Sequence, residues 1–143
     1  IRVWSMTGGA MEEPERTLAP EGPRDAVWSL AAWEGRLISG HTSCQLRVWN
    51  VVTGACDQVL DGHTDTVRAL TVCGSRLASG SYDKSIKVWA MGAAGQWACE
   101  STLLGHTGLV RSLAGWQDKV VSGSNDSSIR VWDVGTGAHD ATL

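Results

Sequence analysis

Two sets of residues in this chain are of types that can do chemistry together: His63, Ser79 and Asp83, and His106, Ser122 and Asp126. A His beside a Ser and an Asp is the material of a hydrolytic triad, where the imidazole activates the hydroxyl and the carboxylate orients the imidazole. A Trp follows each His at the same interval of 26 residues, Trp89 in one set and Trp132 in the other. Catalysis rarely needs one constellation built twice, here 43 residues apart in a short chain. Duplication at a fixed offset is the mark of a repeated structural unit. No GxxxxGKS, HExxH or GxSxG motif is present. The chain therefore reads as non-enzymatic.

Other chemistries are disfavoured as well. Cys44, Cys56, Cys73 and Cys99 are scattered, with no CxxC and no cluster of Cys and His at zinc-site spacing. Zinc needs clustered ligands, so these read as reduced thiols in or near strands, and no metal or cofactor is expected. A net charge of −3 gives no bulk attraction to nucleic acid or to an anionic membrane. No apolar run approaches the roughly 18–20 residues of a transmembrane helix. The opening IRVWSMTGGA lacks both an initiator Met and the order of a signal peptide, and reads as the interior of something longer.

The elements that position the two sets emerge on self-comparison. Residues 21–50, 61–90 and 104–133 align without an internal gap, at offsets of 40 and 43, and IRVW at 1–4 repeats at 129–132. Within each copy, short runs such as Val67–Leu70, Arg76–Ser79 and Ile86–Trp89 are rich in β-branched or large apolar residues. Gly74-Ser75 and Gly80-Ser81-Tyr82-Asp83 punctuate them as turns, and a further turn such as Thr53-Gly54 leads to a fourth run, Cys56–Leu60. Each copy thus reads as four strands, a to d, and helical periodicity is absent. The fold class is all-β.

The order GH, then an SGS-x-D step, then V-W resembles the WD-repeat (WD40) β-propeller family over nearly the whole chain. The resemblance implies a propeller fragment of three full four-stranded blades and a half blade: 1–20 the last two strands of a blade, then blades at 21–60, 61–103 and 104–143. It also implies that His63, Ser79, Asp83 and Trp89, and likewise His106, Ser122, Asp126 and Trp132, form hydrogen-bonded tetrads within their blades. The blade at 21–60 departs from the pattern, with Pro23 where His is expected and Ser43 where Asp is expected. Only Ser39 and Trp49 remain of its tetrad, so this blade is expected to lack the network and to rely on packing. Propellers close with 4–8 blades. The remaining blades would come from a parent chain or by self-association.

Propellers of this family commonly bind partners on the narrow top face. The resemblance places there Ala26, Trp28 and Thr42, then Thr66, Arg68 and Tyr82, then Leu109, Arg111 and Asn125. Arg and aromatic residues are enriched in binding hot spots. Arg68 and Arg111 stand at matching positions and could hold a carboxylate or phosphate. That pattern resembles the F-box/WD-repeat substrate receptors, and more broadly the TRAF- and kinase-associated WD-repeat propellers. A third arginine found in the F-box group is replaced here by Tyr82 and Asn125. The expected function is a protein-interaction scaffold, as substrate receptor or adaptor, for protein or peptide partners that include acidic or phosphorylated ones. The expected location is intracellular, cytoplasmic or nuclear. The alternative is a nucleic-acid- or histone-binding propeller, disfavoured by the negative charge and scattered basic residues. Arg24 could add weakly to a basic rim. Trp33 and Trp116 are expected to fill space between blades, and Trp97, in a long loop after Trp89, to be an exposed contact. The loops at 5–14 and 90–97 are expected as tolerated insertions, and Met11–Glu15 as a solvated acidic stretch.

Overall fold

A computed structural model of the chain describes residues 1–4, 16–19 and 25–143. The expectations for Pro23, Arg24, the 5–14 loop and Met11–Glu15 lie outside the described residues. Three antiparallel four-stranded sheets follow one another. The first holds β3 (Val27–Trp33), β4 (Arg36–His41), β5 (Leu46–Asn50) and β6 (Cys56–Leu60). The second holds β7 (Val67–Cys73), β8 (Arg76–Ser81), β9 (Ile86–Met91) and β10 (Trp97–Leu103). The third holds β11 (Val110–Trp116), β12 (Lys119–Ser124), β13 (Ile129–Asp133) and β14 (His139–Thr142). In each, strands pair in chain order, as hairpin connections demand. A separate pair, β1 (Arg2–Val3) with β2 (Arg16–Thr17), precedes them. The architecture is three blades and a half blade, all-β.

Turn chemistry sets the strand limits. The a–b connections are two residues long: Trp33 pairs Arg36, Cys73 pairs Arg76 and Trp116 pairs Lys119. Such tight hairpins need positive φ, supplied at Gly35 (φ 73°), Gly74 (φ 58°) and Gln117 (φ 54°).

Alternating apolar residues make the core between blades. Ile38, Leu46, Val48 and Leu60 of the first blade pack with Val67, Leu77, Trp89 and Trp97 of the second. Ala78, Ile86, Val88 and Leu103 of the second pack with Val110, Val120, Trp132 and Val134 of the third. The glycine of each SG step admits the neighbour. A Cβ at Gly40 would stand 2.8 Å from Val67 Cγ1, and one at Gly80 would stand 2.6 Å from Val110 Cγ1. The innermost strands β3, β7 and β11 therefore come side by side.

Two Trp residues differ from expectation. Trp97 is no exposed loop residue: it begins β10, is 3% exposed, and meets Trp33 edge-to-face at 4.9 Å. The strand starts at Trp97 because Gln58 of the neighbouring blade brackets it. Gln58 Nε2 donates to Trp97 O at 2.8 Å, and Trp97 N donates to Gln58 Oε1 at 2.9 Å. Trp33 thus fills an inter-blade space, as does the matching Cys73, whose thiol donates to Gln117 O and Lys119 O. Trp116, by contrast, is 59% exposed, because no further sheet of the described residues lies against its blade.

Candidate functional site

The repeated quartets are assembled by strands b and c and the loop before strand a. His63 Nδ1 lies 2.8 Å from Asp83 Oδ2, His63 Nε2 2.7 Å from Ser79 Oγ, and Trp89 Nε1 donates to Ser79 Oγ at 2.8 Å. In the third blade the matching distances, through His106, Asp126, Ser122 and Trp132, are 2.7, 2.7 and 2.8 Å. Ser79 Oγ accepts from the indole, so its own proton goes to His63 Nε2, and His63 Nδ1–H donates to the carboxylate. The order Ser–His–Asp is that of a triad. Ser79 and Ser122 are nevertheless 0% exposed, out of reach of a substrate, and each hydroxyl is already engaged by a Trp.

The carboxylates anchor the b–c turns too. Asp83 accepts from Thr64 N and from Ser85 N and Oγ. Burial pushes the Asp83 carboxyl up, but the bonds from His63, Ser85 and Thr64 outweigh it and hold it well below the usual carboxylate range. Ser128, and after it His106, hold Asp126 equally low against burial.

The blade at 21–60 requires a correction: it does build a network. Trp49 Nε1 donates to Ser39 Oγ at 2.7 Å, and Ser39 Oγ lies 2.7 Å from Nε2 of His41, which is 1% exposed. His41 Nδ1 faces Asp25 Oδ2 at 3.1 Å, close enough to interact electrostatically but poorly aligned for a hydrogen bond. Asp25 also accepts from Ser43 N and Oγ and faces Arg47 at 3.6 Å. The two partners have exchanged places. The His comes from strand b, where the other blades have Ser81 and Ser124, and the Asp from the loop before strand a, two residues after the position at which they have the His. Alignment by position misses this, because the network needs an imidazole beside the buried Ser rather than an imidazole at one position. The visible signal was SGH at 39–41 in place of SGS. Burial, and next Arg47, push the His41 imidazole below its ordinary value, although Asp25 opposes them.

On the rim where b–c turns meet the start of strand a, the backbone does something not legible in the repeat. The register shifts between Val27 and Ser29, between Val67 and Ala69, and between Val110 and Ser112. Each shift is a β-bulge, and its extra residue is Trp28, Arg68 or Arg111. A bulge releases a residue from the ladder and re-aims its side chain. The turns are tied beside these bulges, as Thr42 N donates to Ala26 O, Tyr82 N to Thr66 O, and Asn125 N to Leu109 O.

The bulged side chains link blade to blade. Trp28 Nε1 donates to Thr42 Oγ1 at 2.8 Å, and the Arg68 guanidinium sits 5.2 Å from the Trp28 ring centroid. The Arg111 guanidinium lies 4.7 Å from the Tyr82 ring centroid. It also donates through Nη1 to the Tyr82 hydroxyl and through Nε to Asn125 Oδ1 at 2.9 Å. Of the remaining candidates, Ala26 is exposed and Leu109 half-buried, whereas Thr66 is 7% exposed and offers little surface. Among the described residues no group of His, Cys, Asp or Glu could hold a metal ion.

Three consecutive four-stranded antiparallel blades with buried His–Ser–Asp–Trp networks define a repeat protein of the propeller class. The family model "WD domain, G-beta repeat" matches residues 54–90 and 97–133, just over half of the chain, and the chain belongs to the WD40 family. A Neurospora crassa protein named "Mitochondrial division protein 1" is 38% identical over 60 residues, 42% of this chain and 9% of that protein. "WD repeat-containing protein pop2" of Schizosaccharomyces pombe is 36% identical over 67 residues, 47% of this chain and 10% of that protein. The solved "RRP9 WD40 repeats" superimpose with a TM-score of 0.78 at 26% identity, covering 90% of this chain and 41% of that one. The chain thus spans a small part of the curated relatives it matches. WD40 repeat proteins generally act as protein-interaction scaffolds, and the family is generally non-enzymatic. No helix among the described residues is long and apolar enough to cross a membrane.

Proposed function

We propose that this chain binds protein or peptide partners on the rim formed by its three bulges, and that acidic or phosphorylated segments are among them, held by Arg68 and Arg111. The observation that carries the reading is the coincidence of the bulges with Trp28, Arg68 and Arg111. Each guanidinium is stacked on an aromatic residue of the preceding blade. A stacked guanidinium loses less rotamer freedom on binding than a free one, and Trp, Tyr and Arg dominate interface hot spots. Blades 21–60, 61–103 and 104–143 act as a rigid scaffold, the tetrads serve stability, and the protein works as a non-enzymatic adaptor or substrate receptor inside the cell.

Arrays of acidic, phosphorylated and neutral peptides test this directly. Binding that weakens with salt and disappears in R68A/R111A supports the reading. Peptide binding that survives both substitutions removes these arginines from the site. Selective binding of single-stranded nucleic acid or of basic histone tails would point to the other class of partner.

A further inference from the structure

The two rim arginines have different surroundings. Arg111 already donates to Tyr82 and Asn125, so neutral acceptors satisfy two of its three nitrogens. Arg68 donates to nothing among the described residues, and its Nε is buried without a partner. That Nε is closed off from solvent, so a partner's acceptor would meet the unpaired terminal Nη groups of Arg68. Beside it, Trp28 is 47% exposed, and its one polar atom is engaged by Thr42. What Trp28 offers a partner is therefore hydrocarbon alone.

We infer that Arg68 and Trp28 together form the specificity-determining subsite, reading an unphosphorylated acidic residue next to a bulky apolar one, with Arg111 as a supporting charge. This rests on the rim reading above. The planar fork of one guanidinium matches the two oxygens of a carboxylate. A phosphate dianion brings a third oxygen and further charge, yet the Nε and Nη1 of Arg111 are already given to Asn125 and Tyr82, and the Thr42 hydroxyl already accepts from the Trp28 indole. The apolar neighbour covers the Trp28 ring and excludes water from the ion pair, which strengthens it.

The test uses the 143-residue chain and four fluorescein-labelled octapeptides read by anisotropy. Each carries Leu-Glu, Ala-Glu, Leu-Gln or Leu-phosphoserine at the centre of a Gly/Ser sequence. The chain is expected to bind the Leu-Glu peptide most tightly. R68A and W28A each weaken that binding roughly 10-fold, and R111A less than about 3-fold. R68K, which keeps the charge but loses the fork, behaves like R68A, while W28F, which keeps a ring, stays within about 3-fold of the parent. Thermal midpoints of all variants establish that they are folded. A preference for the phosphoserine peptide, an equal loss in R68A and R111A, or indifference to W28A overturns the inference while leaving the rim reading standing. If none of the four peptides binds, the acidic-partner reading falls with it.

Discussion

Replacing His41 by Leu separates a blade held by packing from a blade held by its exchanged network. Leu is close to His in size and wholly apolar, so packing alone would make H41L neutral or slightly stabilising at this site, which is 1% exposed. The network says otherwise. Ser39 Oγ accepts the Trp49 indole proton at 2.7 Å, and its own proton goes to His41 Nε2 at 2.7 Å. Leu removes that acceptor and leaves a buried hydroxyl unsatisfied, which costs about 1–3 kcal/mol. Asp25 is not orphaned, because Ser43 N and Oγ still donate to it. The cost should therefore stay near the value for a single hydroxyl and not rise to the roughly 3–5 kcal/mol of a broken buried ion pair. Urea unfolding followed by Trp fluorescence is the assay. With a slope of about 2 kcal/mol/M, a loss of about 2 kcal/mol lowers the midpoint by about 1 M at constant slope. An unchanged or raised midpoint refutes the reasoning.

Further perturbations have distinct signatures. D83N removes the charged acceptor shared by His63, Thr64 and Ser85 and should cost roughly 2–3 kcal/mol, measured as a fall in the urea midpoint. G80A forces a methyl against Val110 and should cost about 1–3 kcal/mol, while G123A, whose Cβ would meet only the movable Ser112 hydroxyl, should cost less than about 1 kcal/mol by the same assay. Acid should act at two levels. The folded His41 value lies below the unfolded one, so the unfolded chain binds the proton first, and stability falls as pH drops from about 6.5 through the lowered value. H41L should flatten that segment of a stability–pH curve. Asp83 and Asp126 are also lowered, so their contribution is complete above the ordinary carboxylate value and is lost as pH falls below it, which an acid-unfolding titration of D83N would show as a shallower slope.

The repeat, the four strands per copy and the two matching quartets could be read from the sequence, because the turn formers and the GH to Trp interval recur in phase with the strands. What escaped was relational. A bulge is a property of register between β3 and β4, or β7 and β8, and no composition marks Trp28 or Arg68 as the extra residue. The roles of His41 and Asp25 are hidden for a similar reason: alignment compares positions, whereas the Ser39 hydroxyl responds only to what lies beside it. Trp97 reads as a loop residue from its own neighbours, because Gln58, 39 residues earlier, decides where β10 begins. Long-range pairing settled each of these, and local pattern could not.

If partners engage the bulged rim as proposed, the contact can be located residue by residue. Nitrogen-15 resonances of the side chains, followed while an acidic peptide is titrated into the chain, place the contact directly. The Trp28 indole and the Arg68 and Arg111 Nε signals are expected to move with the titration, while those of buried Trp49, Trp89 and Trp132 stay fixed. Shifts confined to Trp116 or the outer strands, with the rim unmoved, would contradict the proposal.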